Sequence, residues 1–118
     1  MSYFTFLELI KTNQSAQNIP ACMEHVENLV CLCDFLNEIR DEFGEPIVVN
    51  SAFRTPVVNH AVGGVPNSLH LQGRAADIRP NHGKQFYSEL ARLAQVIKVY
   101  EQDLTEFVIY KTFIHVAI

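Results

Sequence analysis

The chain has 118 residues, of which 48% are hydrophobic and 19% charged, a composition typical of a folded globular domain rather than a disordered segment. Its formal net charge is −4 at pH 7 and its nine basic residues are scattered, which excludes an extended basic surface for nucleic acid or anionic lipid. We therefore expect one domain over residues 1–118, with neither nucleic acid nor a membrane as a partner.

Targeting signals and disulfide patterns are not recognisable in this sequence. The N-terminal residues 1–5 (MSYFT) lack the basic and apolar regions of a secretory signal, and no apolar run reaches the length of a membrane span. The chain has three cysteines, an odd number, and all lie within residues 22–33. This arrangement predicts no disulfide framework, and we exclude the cysteines from a metal site.

The first half of the chain is predicted to be helical. Thr5 and Glu8 have the spacing of a capping box, which predicts a short helix that runs to about Lys11. Apolar side chains then follow a helical period from about Met23 to Phe43, and Gly44 is placed to end this helix. We expect this long helix to pack against the core.

The second half is predicted to contain most of the strands. Short β-branched or apolar runs predict strands at residues 47–51, 74–78, 107–110 and 113–118, the last two as a hairpin. Residues 54–71 are rich in Pro, Gly, Asn and Ser and are predicted to form a long loop, in which Asn59 makes backbone hydrogen bonds. An apolar stripe over residues 83–100 predicts another helix. This order of elements is typical of an α+β domain in which helices pack on a small antiparallel sheet.

His70 and Asp77 are candidate metal ligands, and they lie seven positions apart with Gly73 between them. A second histidine, His115, lies in the last apolar run. Two imidazoles and a carboxylate are ligands that a catalytic zinc ion accepts, with the fourth position left open. The spacing alone is a weak signal, because a lone histidine is more often a hydrogen-bonded structural residue and an aspartate at a strand end is often a cap.

Longer segments around this pair carry a resemblance to a known family. The segments are SAFRTP at 51–56, Asn59, VGGVPNSLH at 62–70, Gly73, ADI at 76–78 and FIHV at 113–116. Together they resemble the zinc D-alanyl-D-alanine peptidases of bacterial cell walls and phage lysins, over most of the chain. The resemblance implies an α+β fold shared with the hedgehog signalling domain, one zinc ion, and hydrolysis of a peptide bond in the peptidoglycan stem.

The resemblance also implies roles for individual residues. His70, Asp77 and His115 match the zinc ligands of the family. Arg54 matches the arginine that receives the terminal carboxylate of the substrate, and a guanidinium group suits bidentate capture of a carboxylate. Ser68 matches the motif serine, which we assign to hydrogen bonding with the substrate, while a turn-capping role stays open.

The general base is the position at which this chain departs from the family. Related enzymes place an acidic residue a few positions before the second histidine, where it takes a proton from water and passes it to the leaving amine. Residues 110–114 (YKTFI) contain no carboxylate. Glu106, nine positions before His115, is the nearest upstream acid and is our candidate catalytic base. An exposed strand-edge charge is its alternative role, and Asp103 is a weaker candidate.

The sequence thus predicts a zinc-dependent peptidoglycan peptidase that cleaves next to D-alanine, either as a carboxypeptidase or as an endopeptidase, of bacterial or phage origin. Its expected partner is the peptidoglycan stem peptide. We expect the protein to be cytoplasmic as synthesised and to act at the cell wall after release. Two alternatives stay open, namely a catalytically weak or inactive module that binds a peptide or cell-wall fragment, and a structural component of a phage particle.

Overall fold

The computed structural model describes residues 2–118, and over this range helices and strands are interspersed along the chain. The α-helices are α1 (Phe6–Leu9), α2 (Met23–Phe43), α3 (Pro56–Ala61) and α4 (Phe86–Lys98). The strands are β1 (Ile47–Ser51), β2 (Ala75–Pro80), β3 (Glu106–Ile109) and β4 (Ile114–Ala117). Short 3₁₀ helices occupy Leu69–Gln72 and Glu101–Asp103. The predicted α+β class with a small antiparallel sheet is confirmed.

The strands of this described range form one antiparallel sheet in the order β1-β2-β4-β3. β3 and β4 form the predicted hairpin, and β4 lies between β2 and β3. In this register Asp77 on β2 is opposite His115 on β4, and His115 is opposite Val108 on β3. Because side chains of directly opposed residues lie on the same side of a sheet, these three residues share one face.

The other face of the sheet is covered by helices. The strand neighbours of Asp77 and His115, namely Ala76, Ile78, Ile114 and Val116, are fully buried. They belong to a hydrophobic cluster that also contains side chains from α2 and α4. The alternation at residues 76–78 and 114–116 therefore directs the apolar side chains into the core and places Asp77 and His115 on the opposite face, called the open face below, which also contains the buried Ala75 and Ala117.

Helix α2 has the bounds that the sequence predicted, because its apolar period and its terminator agree. Its buried side chains recur every three or four residues, at Leu29, Leu32, Leu36, Ile39 and Phe43. Gly44 follows in the left-handed region with a φ of 78°, which glycine adopts without a steric penalty.

No helix in residues 2–118, α2 included, is long and apolar enough to cross a membrane.

The predicted loop over residues 54–71 is wrong in part, because it contains helix α3 and the start of a 3₁₀ helix. Thr55 caps α3 through its Oγ1 atom, which accepts a hydrogen bond from the backbone of Val58 at 3.3 Å, and Pro56 occupies the first turn. The α2 helix and the strand at residues 47–51 have the predicted bounds, and the other predicted elements differ at their ends. Helix α1 ends at residue 9 rather than 11, and α4 covers fewer residues than the predicted 83–100.

Candidate metal centre

His70 is positioned by the 3₁₀ helix that follows α3. The Oγ atom of Ser68 caps this helix and accepts a hydrogen bond from the backbone nitrogen of His70 at 3.2 Å. Gly73 ends the helix with a φ of 73°, and a Cβ atom there would lie 2.8 Å from a backbone oxygen of α2. Only glycine therefore allows the turn that follows His70 to pack against α2.

His70 is buried, with 3% of its surface exposed. Its Nδ1 atom lies 2.6 Å from the carbonyl oxygen of Ala52. A carbonyl oxygen only accepts hydrogen bonds, so Nδ1 carries a proton and Nε2 is the nitrogen that a metal ion would bind. Nε2 lies 3.3 Å from Oδ1 of Asp77.

Asp77 lies between the two histidines and completes a group of three metal-capable side chains. The same Oδ1 atom that lies near His70 is 2.8 Å from Nδ1 of His115. Each of the three residues offers one ligand atom, and these atoms all lie within 4.8 Å of one another. Ligands of a tetrahedral zinc ion lie about 3.4 Å apart, given bonds of about 2.1 Å. The donor types and their spacing therefore fit a zinc ion.

The charges at the site are set by this contact between the carboxylate and the imidazoles. Burial acts to raise the pKa of Asp77, but the hydrogen bonds and positive charges of His115 and His70 outweigh it and hold that pKa at about 2. The hydrogen bond to Asp77 raises the pKa of His115 against the effect of burial, and Glu106 adds to the rise. Asp77 therefore carries a negative charge next to the imidazoles of His70 and His115. A metal ion bound to these imidazoles would displace a proton from each ring that is protonated.

Arg54 lies beside Asp77, at the edge of the group. Its Nε donates to Oγ of Ser51 at 3.0 Å, and its Nη1 donates to Oδ1 of Asn59 at 3.3 Å. A longer contact of 3.5 Å joins Nη2 to Oδ2 of Asp77. A guanidinium group has five N–H donors, so one donor on each terminal nitrogen is left for a ligand. Arg54 is held in place and still has the two donors that bidentate binding of a carboxylate requires.

The structure brings Glu106 to the same face of the sheet, next to His115. Its Oε1 atom lies 2.8 Å from Nε2 of His115, and its side chain is 44% exposed. The role of Glu106 as a catalytic base stays a prediction. For Ser68 the structure shows the capping contact with the backbone of His70, and its contact with a substrate stays a prediction.

Asn59 has a larger role in the structure than the sequence indicated. Its side chain is buried, and Nδ2 donates to the backbone oxygen of Val65 at 2.8 Å, as expected of a residue that orders a loop. Its Oδ1 atom also accepts the hydrogen bond from Arg54. Arg54 and Asn59 both lie in the segments that resemble the peptidase family, and this shared placement was the available signal for their contact.

Two comparisons relate the chain to known proteins. The model of the family described as peptidase M15 matches residues 2–117. The chain is also 36% identical over 95 residues to a protein of Streptomyces albus G named zinc D-Ala-D-Ala carboxypeptidase. This similarity covers 78% of the present chain and 36% of the relative, so the chain spans about a third of the length of the relative.

Gly64 is predicted to be needed for the contact between Asn59 and Arg54. A Cβ atom at residue 64 would lie 2.0 Å from Oδ1 of Asn59 and 3.0 Å from Nη1 of Arg54. The Gly64→Ala substitution should displace the buried Asn59 side chain, and we expect it to lower the free energy of unfolding by about 1–3 kcal/mol. Urea denaturation of the purified variant measures this change.

Gly83→Ala is the matched control for this prediction. A Cβ atom at residue 83 has nothing within 4 Å. We expect this variant to change the free energy of unfolding by less than about 0.5 kcal/mol. If the two substitutions change the free energy of unfolding equally, residue 64 has no specific requirement for glycine.

Proposed function

Because the chain belongs to the peptidase M15 family, we propose that it is a zinc-dependent peptidase whose metal is held by His70, Asp77 and His115. The observation that carries the proposal is the convergence of the three ligand atoms on the open face of the sheet. When bound by three protein ligands, a zinc ion keeps a fourth position and lowers the pKa of a water molecule there toward neutrality. The S. albus relative is named as a zinc enzyme, which supports the choice of metal.

We propose that the substrate is a peptide that ends in a free carboxylate, of the kind found in the D-alanine stem of peptidoglycan. The arrangement of Arg54 supports this proposal, since two of its donors are left for a ligand next to the metal-capable residues. Ser51 and Asn59 hold the guanidinium before any ligand binds, which reduces the entropic cost of binding. The name of the relative, a D-Ala-D-Ala carboxypeptidase, supports the same substrate class.

A binding module on the same scaffold is the second candidate function. It is favoured by two observations, namely that residues 110–114 contain no carboxylate and that Glu106 is hydrogen-bonded to His115. General acid–base assistance is worth about 10²–10⁴-fold in rate. A chain without such assistance still binds the metal and the peptide but turns the peptide over slowly.

The test of the proposed function is a digestion of purified peptidoglycan and of a peptide ending in D-Ala-D-Ala by the zinc-loaded protein. Release of terminal D-alanine is the expected result, and a chelator should abolish it. Cleavage of internal bonds alone would indicate an endopeptidase. Full zinc content with peptide binding and no cleavage would assign the chain to the binding module.

We predict that the protein binds one zinc ion per chain and that His115→Ala abolishes this stoichiometric binding. The substitution removes one of three ligands, and the remaining pair, His70 and Asp77, does not make a complete zinc site. Metal analysis after dialysis against a weak chelator measures the zinc content.

The control for His115→Ala is His82→Ala, which removes an exposed imidazole from the loop before α4. This variant should retain one zinc ion per chain. If the metal content of the His115→Ala variant equals that of the control, the assignment of the ligands is wrong.

Arg54→Ala is predicted to reduce cleavage of a peptide that ends in a free carboxylate. The substitution removes the charged partner of that carboxylate, which we expect to cost about 2–4 kcal/mol of transition-state stabilisation. This cost corresponds to a loss of about 30- to 1,000-fold in kcat/KM. Steady-state kinetics with a D-Ala-D-Ala peptide measures the loss, and zinc content shows whether the metal site survives.

Arg79→Ala provides a matched loss of a guanidinium group on β2. Arg79 donates to Oδ1 of Asn50 and to the backbone oxygen of Pro80, so its removal leaves the contacts of Arg54 in place. The control should cleave the peptide at the wild-type rate. Wild-type kinetics in Arg54→Ala would remove the proposed role of this arginine.

A further inference from the structure

We propose that Glu106 is a positioning residue that holds the imidazole of His115 with Nδ1 directed toward Asp77 and His70. This role differs from that of a catalytic base, which takes a proton from water. The inference rests on the proposed zinc site, because it concerns which nitrogen of His115 is offered to the metal.

The ring of His115 lies between two carboxylates. Nδ1 is 2.8 Å from Oδ1 of Asp77, and Nε2 is 2.8 Å from Oε1 of Glu106. The two ring nitrogens point in different directions, so a single metal ion binds only one of them. Nδ1 is the nitrogen next to a ligand atom of Asp77. Nε2 is the nitrogen that Glu106 occupies.

This contact also bears on which nitrogen a metal ion would bind. Asp77 and Glu106 are both carboxylates, which only accept hydrogen bonds, so each ring nitrogen of His115 faces an acceptor while no metal is bound. A metal ion held at Asp77 would take the place of the proton on Nδ1, and Glu106 would retain the proton on Nε2. The hydrogen bond to Glu106 would thus keep the ring in the tautomer that offers Nδ1 to the metal.

The sheet explains how Glu106 reaches the ring. Val108 is directly opposite His115, and Glu106 lies two residues earlier on the same strand, so its side chain is on the same face. A diagonal neighbour on an adjacent strand is within reach of a long side chain. Because β4 lies between β2 and β3, Asp77 and Glu106 approach His115 from opposite sides.

His70 has the same arrangement, with a different acceptor. Its Nδ1 atom is bound to the carbonyl oxygen of Ala52 and its Nε2 faces Asp77. Both histidines therefore have the nitrogen remote from Asp77 engaged by a hydrogen-bond acceptor. Such partners fix the orientation of metal-binding histidines, and their loss weakens metal affinity by about 10–100-fold.

The test compares the zinc affinity of Glu106→Ala and Glu106→Gln, measured by competition with a chromophoric chelator. The alanine variant removes the acceptor, and we expect its affinity to fall by about 10–100-fold. The amide oxygen of glutamine can still accept the Nε2 proton, so we expect Glu106→Gln to restore most of the affinity. The visible spectrum of the Co²⁺-substituted protein gives a second readout, which should be perturbed in the alanine variant and close to wild type in the glutamine variant.

Glu101→Gln is the matched control, since it removes a carboxylate that pairs with Lys98 on the surface. It should leave the zinc affinity unchanged. Thermal denaturation of the metal-free variants shows whether Glu106→Ala still folds. If Glu106→Ala does not fold, the Glu106→Gln variant still tests the proposal. A tenfold or greater loss of zinc affinity in Glu106→Gln contradicts it.

The possible results separate this inference from the proposed function. Unchanged zinc affinity in Glu106→Ala overturns the positioning role, and equal loss of cleavage in both variants at unchanged affinity assigns Glu106 as the base. Equal losses of zinc affinity in Glu106→Ala and Glu106→Gln also overturn the positioning role, because the loss of the negative charge of Glu106 then accounts for the effect. An error in the assignment of the zinc ligands would be detected by a different experiment, because the His115→Ala variant would then retain its zinc.

Discussion

The antiparallel pairing of β2 with β4 is the constraint on which the site depends, because it sets Asp77 opposite His115. A slip of one residue in this register would turn His115 into the core and expose its apolar neighbours. The burial of Ile114 and Val116 opposes such a slip. The hydrophobic core on one face of the sheet therefore determines the geometry of the polar groups on the other.

The polar groups on the open face form a continuous row of hydrogen-bonded side chains. In spatial order the row contains Asn59, Arg54, Asp77, His115 and Glu106. Each side chain limits the freedom of the next, so the metal-capable residues and the proposed carboxylate-binding arginine are held in one arrangement. The row draws on α3, the β1–α3 connection and three strands, and its geometry is a property of the whole fold.

Much of this arrangement follows from the sequence, and the family and the α+β class predicted from it are confirmed. Helix α2 was predictable because a long apolar period and a terminal glycine agree. Helix α3 was missed because six residues are too few for a period to be recognised, although Thr55 and Pro56 are typical of a helix start. The contacts of Asp77 with Arg54 and of His115 with Glu106 depend on side-chain geometry between different elements of the fold, which local patterns do not encode.

The distance along the chain between Asp77 and His115 has a consequence for folding. The two residues are 38 positions apart, and α4 lies between them. A metal ion held by both would bind the folded chain far more tightly than the unfolded one, since the unfolded chain rarely brings them together. At a free concentration 100 times its Kd, such an ion stabilises the native state by about 2.7 kcal/mol. The metal would then act as a removable cross-link between β2 and the β3–β4 hairpin.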